Sequence, residues 1–152
     1  MGLNEEPQFI IWPETHFLFV EGIGPFMTSA PQSWQKFHMH LLVLRAQYTI
    51  TGFMSLYKIG PLIYRAGVAV SEPAGDLPEG FRSTNFSGGR YALFTLKGSY
   101  AQLPEATGRA WQIVSEKGLT VRDDFAIENY TNNPATTAEA DLISEILIPV
   151  LD

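Results

Sequence analysis

Residues 90–100, RYALFTLKGSY, read as a strand closed by a glycine turn, and the same reading returns at residues 16–26, HFLFVEGIGPF. Each stretch is apolar and aromatic up to its glycine, the composition of a strand with a buried face. Gly24-Pro25-Phe26 falls on Gly98-Ser99-Tyr100, and at the same offset Phe37 falls on Trp111. Duplication is the economical explanation.

The first of these strands, His16 to Gly22, leads into a helix for which Ser29 is the expected N-cap, with Pro31 in the first turn and Gln32 three residues on. Trp34, Phe37, Leu41, Leu44 and Tyr48 then recur at helical spacing. Two strands are expected next, Thr49 to Lys58 and Tyr64 to Val70, parted by the Gly60-Pro61 break. After Gly98-Ser99 the order repeats. A helix from Pro104 to Lys117 is capped by Gly118, and strands run from Phe125 to Asn132 and from Leu142 to Val150. Ser71 to Gly89 is rich in Pro, Gly and Ser without periodicity, so it reads as a connection. The expectation is an α+β fold with antiparallel sheets, a single domain over residues 1–152. It comprises two tandem strand-helix-strand-strand repeats, about 9–70 and 90–152, related by a pseudo-twofold and joined by a linker at 71–89. A ligand cleft is expected between the repeats, because binding sites favour such seams.

Composition narrows the function. With 152 residues and 45% hydrophobic content the chain can bury one core. A net charge of −6 and only ten Lys and Arg oppose phosphate neutralisation, so nucleic acid is not an expected partner and cations fit better. Cysteine is absent, which excludes disulfides and thiolate chemistry and suits a reducing compartment. Glu5 and Glu6 stand where a signal peptide needs basic residues, and no apolar run approaches the roughly 20 residues of a membrane span. A cytoplasmic protein without a membrane partner is expected.

Alternation in the last strand puts Ile143, Glu145 and Leu147 on one face and Leu142, Ser144, Ile146 and Ile148 on the other. Both faces are apolar, so Glu145 reads as a buried carboxylate awaiting a cationic guest. The alternatives are an internal pair with Arg65, Arg90 or Arg109, or escape to solvent at a sheet edge. Tyr130, one strand earlier, is expected to return beside Glu145 and to donate to it or offer its ring to a cation. Phe26, Tyr57, Tyr64 and Tyr100 are candidate pocket walls, whereas Trp34, Phe37 and Trp111 read as core. His38 and His40 are two apart on a predicted helix and cannot chelate one metal, and Gly22-Ile23-Gly24 lacks the third glycine of a dinucleotide motif. No metal or cofactor is expected.

These stretches together resemble the GyrI-like small-molecule-binding family, which includes the effector-binding domains of AraC-type and MerR-type multidrug regulators. The resemblance rests on Gly89-Arg90-Tyr91-Ala92, Lys97-Gly98-Ser99-Tyr100, Leu103-Pro104-Glu105-Ala106, Ile127 to Pro134 (IENYTNNP) and Glu145 to Val150 (EILIPV) in the second half. In the first half it rests on Gly22 to Phe26, Trp34 to Phe37 and Tyr64 to Val68. It implies a drug-sized pocket whose acid, matched to Glu145, contacts lipophilic, cationic or aromatic xenobiotics. For stand-alone members it also implies an alternative, hydrolysis of cyclopropane-bearing toxins, with Glu145 activating water or the substrate and Tyr130 orienting it. Leu56 is the expected first-half counterpart of Tyr130, so the site is expected to be asymmetric.

Overall fold

A computed structural model describes residues 1–151. In chain order its main elements are β1 (Gln8–Trp12), β2 (Thr15–Ile23), α1 (Phe26–His38), α2 (Leu41–Gln47), β3 (Ile50–Lys58), β4 (Ile63–Val70), β5 (Arg82–Phe86), β6 (Gly89–Lys97), α3 (Leu103–Glu116), β7 (Ala126–Tyr130) and β8 (Ile143–Pro149). The architecture is α+β with antiparallel sheets. Among the described residues no helix is long and apolar enough to cross a membrane.

The chain divides into two compact units. One is Pro13–Gly88, the other Met1–Trp12 together with residues 89–151. In the first unit the strands run β5-β2-β4-β3, and in the second β1-β6-β8-β7. Two of these strands lie outside the expected repeat pattern. β5 forms within the stretch expected to be an irregular connection and pairs with β2, whereas β1 leaves the first half to pair with β6.

The first-unit helix also differs from its sequence reading. It begins at Phe26 behind Pro25, three residues before the expected cap, and Ser29 lies inside it, donating from its hydroxyl to the Gly24 carbonyl at 3.2 Å. Pro31 therefore stands in the helix interior, where it cannot donate a backbone hydrogen bond. The expected continuous run to Tyr48 breaks at Met39-His40, and α2 starts afresh.

In each unit the strands bury one face under the helices. Leu18, Val20, Val68 and Val70 pack with Phe37 and Leu44 in the first unit. In the second, Ala92, Phe94, Ile146 and Ile148 pack with Ala106, Ala110, Ile113 and Val114, whose spacing is that of one helix face. Gly118, at φ 68°, ends α3 as the expected cap, a conformation that costs other residues dearly. Gly67 permits close strand approach: a Cβ there would sit 2.1 Å from the Leu18 carbonyl oxygen.

Candidate ligand-binding site

Strand periodicity decides which side chains meet. In the second unit, β8 lies between β6 and β7, with Thr95 opposite Glu145 and Glu145 opposite Asn129. Paired residues share a face, so these three form a polar row on the face turned away from the helix-packed residues Phe94 and Ile146. Glu145 is half-buried there and accepts from the Asn129 amide at 2.8 Å. Among the described residues it has no arginine or lysine at ion-pair distance, so neither the internal pair nor full exposure applies.

Tyr130 is one residue out of phase with that row. It stands opposite Ser144, on the face packed against α3, so it cannot lie beside Glu145 as expected. Its hydroxyl donates instead to Glu128 Oε1 at 3.0 Å, two residues back along the same face of β7. Thr107 Oγ1, reaching in from α3, donates to the other carboxylate oxygen at 3.1 Å. Burial pushes the Glu128 carboxyl above the usual carboxylate range, and the two hydroxyl donors pull it back only in part.

Tyr100 completes this cluster. It precedes α3 in a short 3-10 turn capped by Ser99 and meets the Tyr130 ring edge-on, centroids 5.5 Å apart. Its hydroxyl is buried and finds no hydrogen-bond partner among the described residues, and burial raises its pKa. Ser144 Oγ, on the strand position facing Tyr130, is likewise buried and unpartnered. Tyr130, Tyr100, Thr107 and Ser144 thus join Glu128 on the α3-packed side of the sheet.

The remaining candidates gather in the first unit. Phe26 packs against Tyr57 and Tyr64 with centroids 5.7 and 5.8 Å away. Tyr64 Oη accepts from Trp34 Nε1 at 2.8 Å and exchanges a hydrogen bond with Ser55 Oγ at 2.7 Å. Register also corrects the expected counterpart of Tyr130: Tyr57 lies opposite Tyr64 as Tyr130 lies opposite Ser144, whereas Leu56 lies opposite Arg65 on the other face.

Sequence reasoning passed over Glu128, whose neighbours Asn129, Thr131, Asn132 and Asn133 are polar. The available signal was the two-residue spacing of Glu128 and Tyr130, which puts acid and phenol on one strand face.

The family model for the GyrI-like small molecule binding domain matches residues 5–151. The chain belongs to the GyrI-like family. Solved structures show the same fold. The C-terminal domain of EcmrR superimposes with a TM-score of 0.79 at 18% identity, over 100% of this chain and 99% of that one. SAV2435, solved bound to tetraphenylphosphonium, gives a TM-score of 0.73 at 14% identity over 96% and 94% of the two chains. A hydrolase from Listeria innocua gives 0.62 at 12% identity over 97% and 92%. No curated protein matches this GyrI-like sequence. Membership makes it a small-molecule-binding domain.

Proposed function

We propose that this GyrI-like domain holds a lipophilic cation in its second unit, with Glu128, rather than Glu145, as counter-ion and the rings of Tyr130 and Tyr100 as walls. One observation carries the reading: a half-buried carboxylate on the α3 side of the sheet, raised in pKa by its burial, is held by two hydroxyls and has no basic side chain at ion-pair distance among the described residues. Taking a carboxylate out of water is costly, and an organic cation arriving with aromatic partners offsets that cost. Glu145, held by Asn129 on the opposite face, serves as a cross-strand acceptor. The hydrolytic alternative needs Tyr130 and Glu145 at one reacting centre, and their opposite facing gives it no support.

Tetraphenylphosphonium, the cation held by the SAV2435 relative, is the natural probe. Isothermal titration of wild type, Glu128→Gln and Glu145→Gln is expected to show a ten- to hundredfold loss for the first variant, since a charge pair in a partly desolvated site contributes about 1.5–3 kcal/mol. The second variant should bind as wild type does. Equal affinities for wild type and Glu128→Gln would remove the counter-ion role.

A further inference from the structure

The two repeats share a frame but differ in what fills it. Matching the registers residue by residue, Gly22–Tyr64–Tyr57 in the first unit corresponds to Leu96–Ser144–Tyr130 in the second. One step along, Val20–Ala66–Ser55 corresponds to Phe94–Ile146–Glu128. Tyr64 is thus replaced by Ser144 and Ser55 by Glu128. The helix contribution changes as well: Trp34 reaches in to Tyr64 in the first unit, the much smaller Thr107 to Glu128 in the second.

In the first unit the chain supplies its own phenol. The Tyr64 ring spans from its strand to Ser55, Phe26 packs on it, and its hydroxyl is satisfied from two sides. In the second unit that phenol is missing, and the polar atoms next to its place are left over: Ser144 Oγ and Tyr100 Oη are both buried without partners. A buried hydroxyl without a partner is costly, and an incoming polar group that bonds it offsets that cost. The position corresponding to Ser55, which the Tyr64 hydroxyl meets, is an acid here.

Building on the cation-binding reading, we infer that the preferred ligand class is a hydroxyaryl amine, an aromatic ring lying where Tyr64 lies in the first unit. Its ammonium faces Glu128 and its hydroxyl meets Ser144 and Tyr100. The ring stacks with Tyr130 and Tyr100 as the Tyr64 ring does with Phe26. A purely apolar cation leaves both hydroxyls unpaired and binds more weakly for its size.

The test compares tyramine with phenethylamine, which differ only in the phenolic hydroxyl, by NMR titration of the full chain, with tetraphenylphosphonium as reference. Tyramine is expected to bind about fivefold tighter, an advantage lost in Ser144→Ala combined with Tyr100→Phe. Ser144→Tyr, which restores the phenol of the first repeat, should keep its circular dichroism and lose tyramine binding. Equal affinity of the two amines for wild type overturns the inference, and this comparison decides alone should Ser144→Tyr not fold. Glu128-dependent binding of tetraphenylphosphonium without a preference for tyramine refutes only the hydroxyaryl amine. Cation binding indifferent to Glu128 refutes the underlying reading instead.

Discussion

Replacing Glu128 by Gln tests the electrostatics of the site without any ligand. The folded-state pKa of this carboxyl is raised, chiefly by burial, so between the ordinary carboxylate range and the raised value the folded protein holds a proton that the unfolded chain has released. Stability from this group is therefore fully present at low pH and is lost as pH rises through that window, the reverse of a salt-bridged carboxylate. The loss is at most about 1.4 kcal/mol per pH unit and levels off above the raised pKa. The groups bonded to the carboxyl are the hydroxyls of Tyr130 and Thr107; Arg109, on the same helix as Thr107, is occupied by Glu5 and Glu116. A glutamine keeps the shape and can serve both hydroxyls, through its carbonyl to Tyr130 and its amide to Thr107. Urea denaturation of wild type and Glu128→Gln from about pH 4 to pH 8 should show the variant gaining on wild type as pH rises. A difference that stays constant with pH, or that shrinks, would refute the assignment.

Tyr130→Phe removes a hydrogen bond that favours the ionised acid, so the Glu128 pKa should climb further. The pH midpoint of tetraphenylphosphonium affinity, which rises as the acid ionises, should move upward with it; an unmoved midpoint would separate Tyr130 from the acid. Gly67→Ala forces a Cβ to 2.1 Å from the Leu18 carbonyl oxygen and 2.9 Å from Phe19 Cβ, both on the paired strand. A cost of about 3 kcal/mol follows, read as a fall in Tm of about 6–12 °C, and a Tm within a degree or two of wild type would contradict the close strand approach.

The parts of the fold that were legible are those where local chemistry and tertiary environment agree. Gly24-Pro25 and Gly98-Ser99 end strands that are apolar along their length, and Leu103 to Val114 carries one clean buried stripe, so β2, β6 and α3 follow from pattern alone. Illegible parts depend on partners distant in sequence. β5 is Arg-Ser-Thr-Asn-Phe, with little apolar content, and becomes a strand only because the edge of β2 supplies its hydrogen bonds. β1 is five residues flanked by Pro7 and Pro13, and its pairing to β6 bridges most of the chain. Ser29 satisfied the capping pattern, yet Pro25 with its fixed φ started the helix first.

The same division governs the site. Alternation in β8 correctly separates Glu145 from Ser144, but which face carries α3 is a tertiary fact, and it is the face of Ser144 and Tyr130. An acid's burial is set by what packs over it rather than by its strand neighbours. Glu145, between two isoleucine-rich flanks, is half-buried with an amide neighbour on the face away from α3; Glu128, in a polar stretch and also half-buried, lies on the α3 side and takes a hydrogen bond from Thr107. Duplication supplies the remaining argument. A repeat inherits a self-sufficient cluster like that of Trp34, Tyr64 and Ser55, in which every hydroxyl is paired. Exchanging its phenol for Ser144 and its serine for Glu128 leaves the second copy with buried hydroxyls that no described residue meets, and it is on this asymmetry between the copies that the proposed site rests.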